Sequence, residues 1–391
     1  MPKQDPCETG VTKRSFLKLG VGGACAFCLA RLPGVSSGLQ SAQAQTAQKG
    51  LIKTTRSPWS KSLEAQRLQC TLCPKACELA PDERGICRVR ENRGGDCYSL
   101  VHGNPCLIQM DPIERKPFFH VLPGSRSLSV STAGCNIECK FCEVWDMALV
   151  YPEDVYAYDM PPATIIAQAK ENQARSVSYT FGEPIAFYEY MADMGALAKE
   201  SGLLSLMHSS GYINKAPLEK LCEAIDGVNI DLKGFTDDFY RDVCDGELAP
   251  VLDSLQLLKK AGIHIEITNI VIPTLNDDVA VIREMCSWIK TELGAETPIH
   301  FARFYPLYKL ANLPPTPVST LDAAREAAFD TGLEYVYIAN VTDHEGENTF
   351  CPKCGKKVIA RMGFMVEEMH IQDGKCAQCG HAIPGIWSSP E

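Results

Sequence analysis

In five strand-like runs of this chain, every second residue is polar. Leu128 and Val130 alternate with Ser127, Ser129 and Ser131, and Val177, Tyr179 and Phe181 with Ser178 and Thr180. Val228, Ile230 and Leu232 alternate with Asn229, Asp231 and Lys233. Ile265 and Ile267 alternate with Glu266 and Thr268, and Ile299 and Phe301 with His300. Successive strand residues point to opposite faces, so each run has one apolar and one polar face. Helical stretches near 161–173, 188–200, 215–225, 249–261 and 277–293 separate these runs and a sixth at 203–208; a further helix–strand pair follows at 320–331 and 333–339. This βα alternation implies a parallel sheet whose apolar face meets the helices. An open α/β sheet is apolar on both faces, and a filled barrel is apolar inside. Neither fits. The pattern predicts an α/β fold, a partial parallel (β/α) barrel wide enough to enclose a polar ligand.

The cysteines add the chemistry. There are nineteen in 391 residues, mostly in short-spaced groups. Disulfide frameworks belong to small secreted domains, whereas close-spaced thiols in a long chain suggest metal. Cys135, Cys139 and Cys142 follow the 127–133 strand directly, at the end where barrel active sites lie. A protein-ligated cubane iron–sulfur cluster needs four thiolates, so three on one tight loop leave an iron open to a chelating small molecule. Zinc with a distant fourth ligand is the alternative. Cys351, Cys354, Cys376 and Cys379 form two C-x₂-C knuckles, the pattern of a tetrahedral metal site holding zinc or rubredoxin-like iron. Cys70, Cys73, Cys77 and Cys87 suit a zinc site and an auxiliary iron–sulfur cluster equally. Cys222 and Cys286 lie in helical stretches and read as core.

Five segments follow: a leader at 1–44, a polar linker at 45–66, a Cys-rich segment at 67–125, the barrel at 126–340, and a zinc-ribbon-like module at 341–391. In the first, Thr12-Lys13-Arg14-Ser15-Phe16-Leu17-Lys18 precedes the uncharged stretch Leu19–Ala30 and an Ala42-x-Ala44 site. Charged start, short apolar region and small-residue cleavage site make a signal-peptide pattern, similar to a twin-arginine export signal with Lys13 in place of one arginine. The other reading is an amphipathic helix of the mature protein. The apolar run is too short for a membrane span. Thiolate ligands favour a reducing, cytoplasmic setting; the leader points instead to export, to the periplasm or the membrane surface. A net charge of −10 argues against a nucleic-acid partner.

The phrase Cys135-x₃-Cys139-x-Phe141-Cys142 resembles the signature of the radical S-adenosylmethionine (SAM) superfamily. The resemblance implies a 4Fe-4S cluster on the three cysteines, with SAM on its open iron. It also implies reductive cleavage of SAM to a 5′-deoxyadenosyl radical that abstracts hydrogen. Phe141 would lie against the cofactor, and the Gly182-Glu183-Pro184 segment would receive the SAM amino group. Asp231-Leu232-Lys233 is similar to a triplet of glycyl-radical-enzyme activating enzymes, whose lysine meets the SAM carboxylate. His300 would contact SAM, or be a core histidine.

Residues 67–387 resemble the AmmeMemoRadiSam-system radical SAM enzymes, relatives of the pyruvate formate-lyase activating enzyme. The phrases that carry this include Cys73-Pro74, Gly85-Ile86-Cys87-Arg88-Val89-Arg90, Asp111-Pro112-Ile113-Glu114-Arg115-Lys116-Pro117, Asn229 to Lys233, and Cys351-Pro352. One departure is Ser209-Ser210-Gly211, where the family has Ser-Asn-Gly. The kinship implies a protein or peptide substrate and a low-potential electron donor such as flavodoxin or ferredoxin. The rival readings are a modifier of RNA or of a small molecule, and a non-catalytic metal-binding scaffold.

Overall fold

This computed structural model describes residues 46–389; the leader-like segment at 1–44 lies outside them. Its centre is one eight-stranded sheet. In chain order the strands are β1 Leu107–Pro112, β2 Arg126–Ser131, β3 Ser176–Tyr179, β4 Leu204–Ser209, β5 Gly227–Asp231, β6 His264–Val271, β7 Ile299–Arg303 and β8 Val336–Ala339. They lie side by side in that order. β2 to β8 are parallel, and β1 pairs antiparallel with β2, Gln109 opposite Ser129. β1 and β8 do not pair with each other, so the barrel stays open along one seam.

Six helices make the crossovers between the parallel strands: α1 Pro162–Glu171, α2 Tyr188–Glu200, α3 Lys215–Leu221, α4 Ala249–Lys260, α5 Val279–Glu292 and α6 Val318–Thr331. Each turns a 3.6-period apolar stripe to the sheet. On α4 that stripe is Val251, Leu255 and Leu258; on α5 it is Ile282, Met285, Cys286 and Ile289. They meet Val130, Val177, Val228, Ile230, Ile267 and Phe301 in one continuous core. Each buried aliphatic side chain of this kind contributes about 1.5–3 kcal/mol.

The inner face is polar and hydrogen-bonded, as a buried polar layer must be. Ser127 Oγ lies 2.6 Å from Ser178 Oγ, Ser129 donates to Asp111, and Thr268 donates to Asn229. The deepest layer is filled by the segment that follows β1. Glu266 accepts from the backbone N–H groups of Phe119 (3.0 Å) and His120 (2.8 Å), which pins that segment across the bottom of the barrel.

The tail closes the same end. Arg361 is buried, donates to the Phe119 carbonyl, and lies over the Phe119 ring at 4.1 Å. Leu122 and Ile386 join through a backbone hydrogen bond. At the other end of the chain, short strands at 55–56, 60–62, 68–70, 78–79, 90–93 and 96–99 form two small sheets. Buried Arg90 anchors them to α2 through a bidentate pair with Glu189, at 3.0 and 2.7 Å. Among the described residues, no helix is long and apolar enough to cross a membrane.

Candidate active site

The carboxyl ends of the parallel strands open into a cavity of about 430 Å³. The loop after β2 enters it first. Gly134 starts that loop at φ +101, where a Cβ would lie 2.8 Å from the Cys87 carbonyl oxygen; only glycine fits. The loop is then held by backbone hydrogen bonds from Glu138 N–H to the Cys244 carbonyl and from Lys140 N–H to the Val243 carbonyl. Cys135, Cys139, Phe141 and Cys142 all line the cavity. Burial pushes the Cys135 thiol well above its ordinary value and the Cys142 thiol up to about 11. A hydrogen bond with Cys244 outweighs burial at Cys139 and lowers its thiol. Buried thiols so placed ionise when they bind a metal, so the donor set suits a cluster.

The turn after β3 forms a second wall. Phe181 takes a left-handed φ of 68, uncommon for a bulky side chain, and swings the chain into Gly182. A Cβ on Gly182 would stand 2.7 Å from Ser131 Oγ. The Glu183 carboxylate accepts from Ser209 Oγ (2.5 Å), from the Ser210 N–H (2.9 Å) and from the Ile185 N–H (3.1 Å). The departure at Ser210 therefore leaves this contact intact, because the backbone makes it.

The third wall comes from β5. Lys233 Nζ is 3.0 Å from Asp231 Oδ2, and His208 Nε2 is 2.8 Å from Asp231 Oδ1. Burial alone would raise the Asp231 carboxyl; the facing charges of Lys233 and His208 overcome that and hold it well below the carboxylate range. Lys233 Nζ also lies 5.6 Å from the Phe141 ring centre.

Residues 129–286 match the family model of the Radical SAM superfamily. The chain belongs to the radical SAM superfamily. A relative in Methanocaldococcus jannaschii, described there as an uncharacterized protein, is 40% identical over 325 residues, 83% of this chain and 97% of that one. The pyruvate formate-lyase-activating enzyme of Clostridium pasteurianum is 25% identical over 178 residues, 44% of this chain and 73% of that enzyme. A radical SAM methyltransferase from Sphaerobacter thermophilus superposes with a TM-score of 0.45 at 13% identity, over 74% of this chain and 78% of that one.

In this radical SAM protein the barrel residues picked from sequence converge on one cavity, with one exception. His300 is fully buried, 2.7 Å from Glu266 Oε2, and its ring stacks on Tyr337. It does not line the cavity; Ala302, the next inward residue of β7, does. These are the contacts of a core histidine. Sequence reading passed over three other residues. His208 braces Asp231, Glu266 anchors the barrel floor, and Cys244 lies against Cys139. Glu266 carried a signal as a charge on an inward face. Cys244 carried none, because only the fold brings it to the loop.

The other cysteine groups lie apart. Cys351 and Cys379 have sulfurs 3.6 Å apart, and Cys354 and Cys376 have sulfurs 3.8 Å apart. All four fall within 4.8 Å of one another and could hold a metal ion. Cys70, Cys73, Cys77 and Cys87 line a separate, small pocket of about 20 Å³ behind the loop after β2. Every cysteine among the described residues is free of disulfide bonding.

Proposed function

We propose that this protein is an enzyme that cleaves SAM reductively and takes hydrogen from a protein or peptide substrate. The observation that carries this reading is the convergence of Cys135, Cys139 and Cys142, the Gly182-Glu183 turn and the Lys233–Asp231 pair on one cavity. A 4Fe-4S cluster with SAM, when bound there, supplies the hydrogen-abstracting radical.

The chain's own residues hold and shield. The three thiolates would hold three irons of such a cluster. The Gly182 turn, with no side chain, lets a ligand approach the backbone. Lys233, neutralised on one side by Asp231, offers its other donors to a carboxylate. Phe141 and Ile137 exclude water from the cluster side.

A peptide substrate is supported by the mouth of the cavity. Phe364 lines it and is 45% exposed. Trp145 is 43% exposed and stacks on Tyr308 at 5.1 Å. The loop carrying Tyr308 docks on the cluster loop through the Lys309 N–H and the Lys140 carbonyl. Exposed aromatics beside a deep cavity suit a chain segment laid across it. The net charge of −10 disfavours RNA. The electron would come from a low-potential protein of the flavodoxin or ferredoxin kind. The tail sulfurs stand at the spacing of a zinc tetrahedron, about 3.8 Å for 2.3 Å Zn–S bonds, and we assign them zinc.

Anaerobic incubation of the iron-reconstituted protein with SAM and dithionite tests the chemistry. 5′-Deoxyadenosine should form, and its absence would reject the reading. Deuterium transfer from labelled cell protein, RNA and metabolite pools into 5′-deoxyadenosine then separates the substrate classes.

A further inference from the structure

We propose that Cys70, Cys73, Cys77 and Cys87 hold a second 4Fe-4S cluster, ligated entirely by the protein, and not zinc.

The first argument is spacing. Among the described residues, the tail quartet alone closes three or more ligand atoms to within 4.8 Å of one another. That is the spacing of a single ion at the centre of a tetrahedron. The loop triad of Cys135, Cys139 and Cys142, to which we assign the SAM-type cluster, does not close so tightly. Cys70, Cys73, Cys77 and Cys87 follow the triad. They are spread around a pocket and do not close on one point.

The second argument is convergence. All four line the same pocket, with Leu72 and Ile185 supplying apolar walls. A Cβ built on Gly85 would lie 3.6 Å from Cys77 Sγ and 3.8 Å from Cys87 Sγ, so both sulfurs turn inward across that glycine. Ala76 and Arg88, each next to a ligand cysteine, take left-handed φ values of 43 and 70. Non-glycine residues adopt these conformations when the surroundings impose them.

The third argument is an unspent donor. Arg90 lines the pocket and is 2% exposed. Its terminal nitrogens bind Glu189 and Ser57, but its Nε–H has no partner. A buried N–H without an acceptor is costly. The sulfurs of a cluster in this pocket are acceptors of the right kind, and such bonds tune cluster potentials.

Four cysteine ligands leave no iron open, so this cluster cannot chelate SAM. It would sit directly behind the catalytic loop. Asn136, next to Cys135, lines its pocket, and Gly134 packs on the Cys87 carbonyl. Cys97 lies against Cys70 but does not line the pocket, and is not a ligand.

The test uses the full chain with Cys135, Cys139 and Cys142 all replaced by Ala, which removes the SAM-type cluster. After anaerobic reconstitution with iron and sulfide, this variant should keep about four irons and four sulfides per chain, with one zinc in the tail. Mössbauer spectra should report a cubane. Adding Cys73→Ala and Cys87→Ala should remove the residual iron and sulfide; adding Cys97→Ala should not. A triple variant with no sulfide and two zincs would overturn the proposal. So would iron and sulfide that persist without Cys73 and Cys87, or that vanish with Cys97 alone. If the variants lacking Cys73 and Cys87 do not fold, the metal and sulfide content of the triple variant still decides.

Discussion

Lys233 Nζ stands 3.0 Å from the Asp231 carboxylate on the wall of the cavity, and both groups are largely buried. An ion pair in that position either receives a ligand or merely balances itself, and the two roles separate by experiment. Lys233→Met should weaken SAM binding by on the order of tenfold or more, the value of one charge-assisted hydrogen bond of about 1.5–3 kcal/mol, while the cluster still assembles. Calorimetric titration and a thermal melt on one sample are the measurements. Unchanged affinity with a lower melting temperature would mean that Lys233 only neutralises Asp231.

Ligand count governs the next prediction. Cys135→Ala, Cys139→Ala or Cys142→Ala should each abolish 5′-deoxyadenosine formation, because two thiolates from one loop cannot hold the cubane. Undiminished SAM cleavage by any one of the three variants would sink the mechanism.

Acid should loosen the barrel floor. Burial pushes His120 from 6.5 down to about 4, so the fold excludes a proton that the unfolded chain binds below about 6.5. Stability from this residue is therefore full above that value and is lost as the pH falls toward 4, by up to roughly 3 kcal/mol. Glu266 adds to the loss at lower pH. Burial opposes its ionisation, but hydrogen bonds from His264 and His300 hold its carboxyl well below the usual range, so its contribution goes as the pH drops through that lowered value. Thermal melts from pH 7.5 to 4 should slope downward, and His120→Gln should flatten the upper part. At neutral pH, Glu266→Gln should cost roughly 3–5 kcal/mol, since it breaks a buried charged network. A flat profile in the parent protein would reject the assignment.

The tail prediction concerns metal and stability together. Cys376→Ala should release one zinc per chain, leave the cluster on the barrel loop in place, and lower the melting temperature. The last follows because Arg361, which donates to the Phe119 carbonyl, lies on the strand Lys357–Met362 that directly follows the Cys351–Cys354 knuckle, so loss of the metal should loosen that strand. Metal content equal to that of the parent would refute the zinc site.

The barrel was legible because its strands carry their two faces in the sequence. Ser127, Ser178, Asn229 and Glu266 announce an inner polar layer, and Val228 and Ile230 the layer facing the helices. The loop after β2 was legible as a candidate site because three cysteines fall within eight residues. What escaped reading was set by partners distant in the chain. β1 lies in the segment read as Cys-rich and without clear periodicity, and its register comes from pairing Met110 with Leu128 and Gln109 with Ser129. The same holds for Cys244. Its approach to Cys139 depends on the turn of π-helix at Tyr240–Cys244, which no local pattern specifies. His300 shows the converse. It sits on the right strand and the right face, but one inward position too deep, so that Glu266 claims it.

The segment pinned by Glu266 stoppers the barrel at one end, while the seam between β1 and β8 stays open. Phe119 and His120 are fixed across that end with Arg361 and Ile386 packed behind them, and the cavity that remains is lined by the exposed Phe364. If the proposed peptide substrate covers the cavity, a small molecule bound beneath it would have to enter first and leave last.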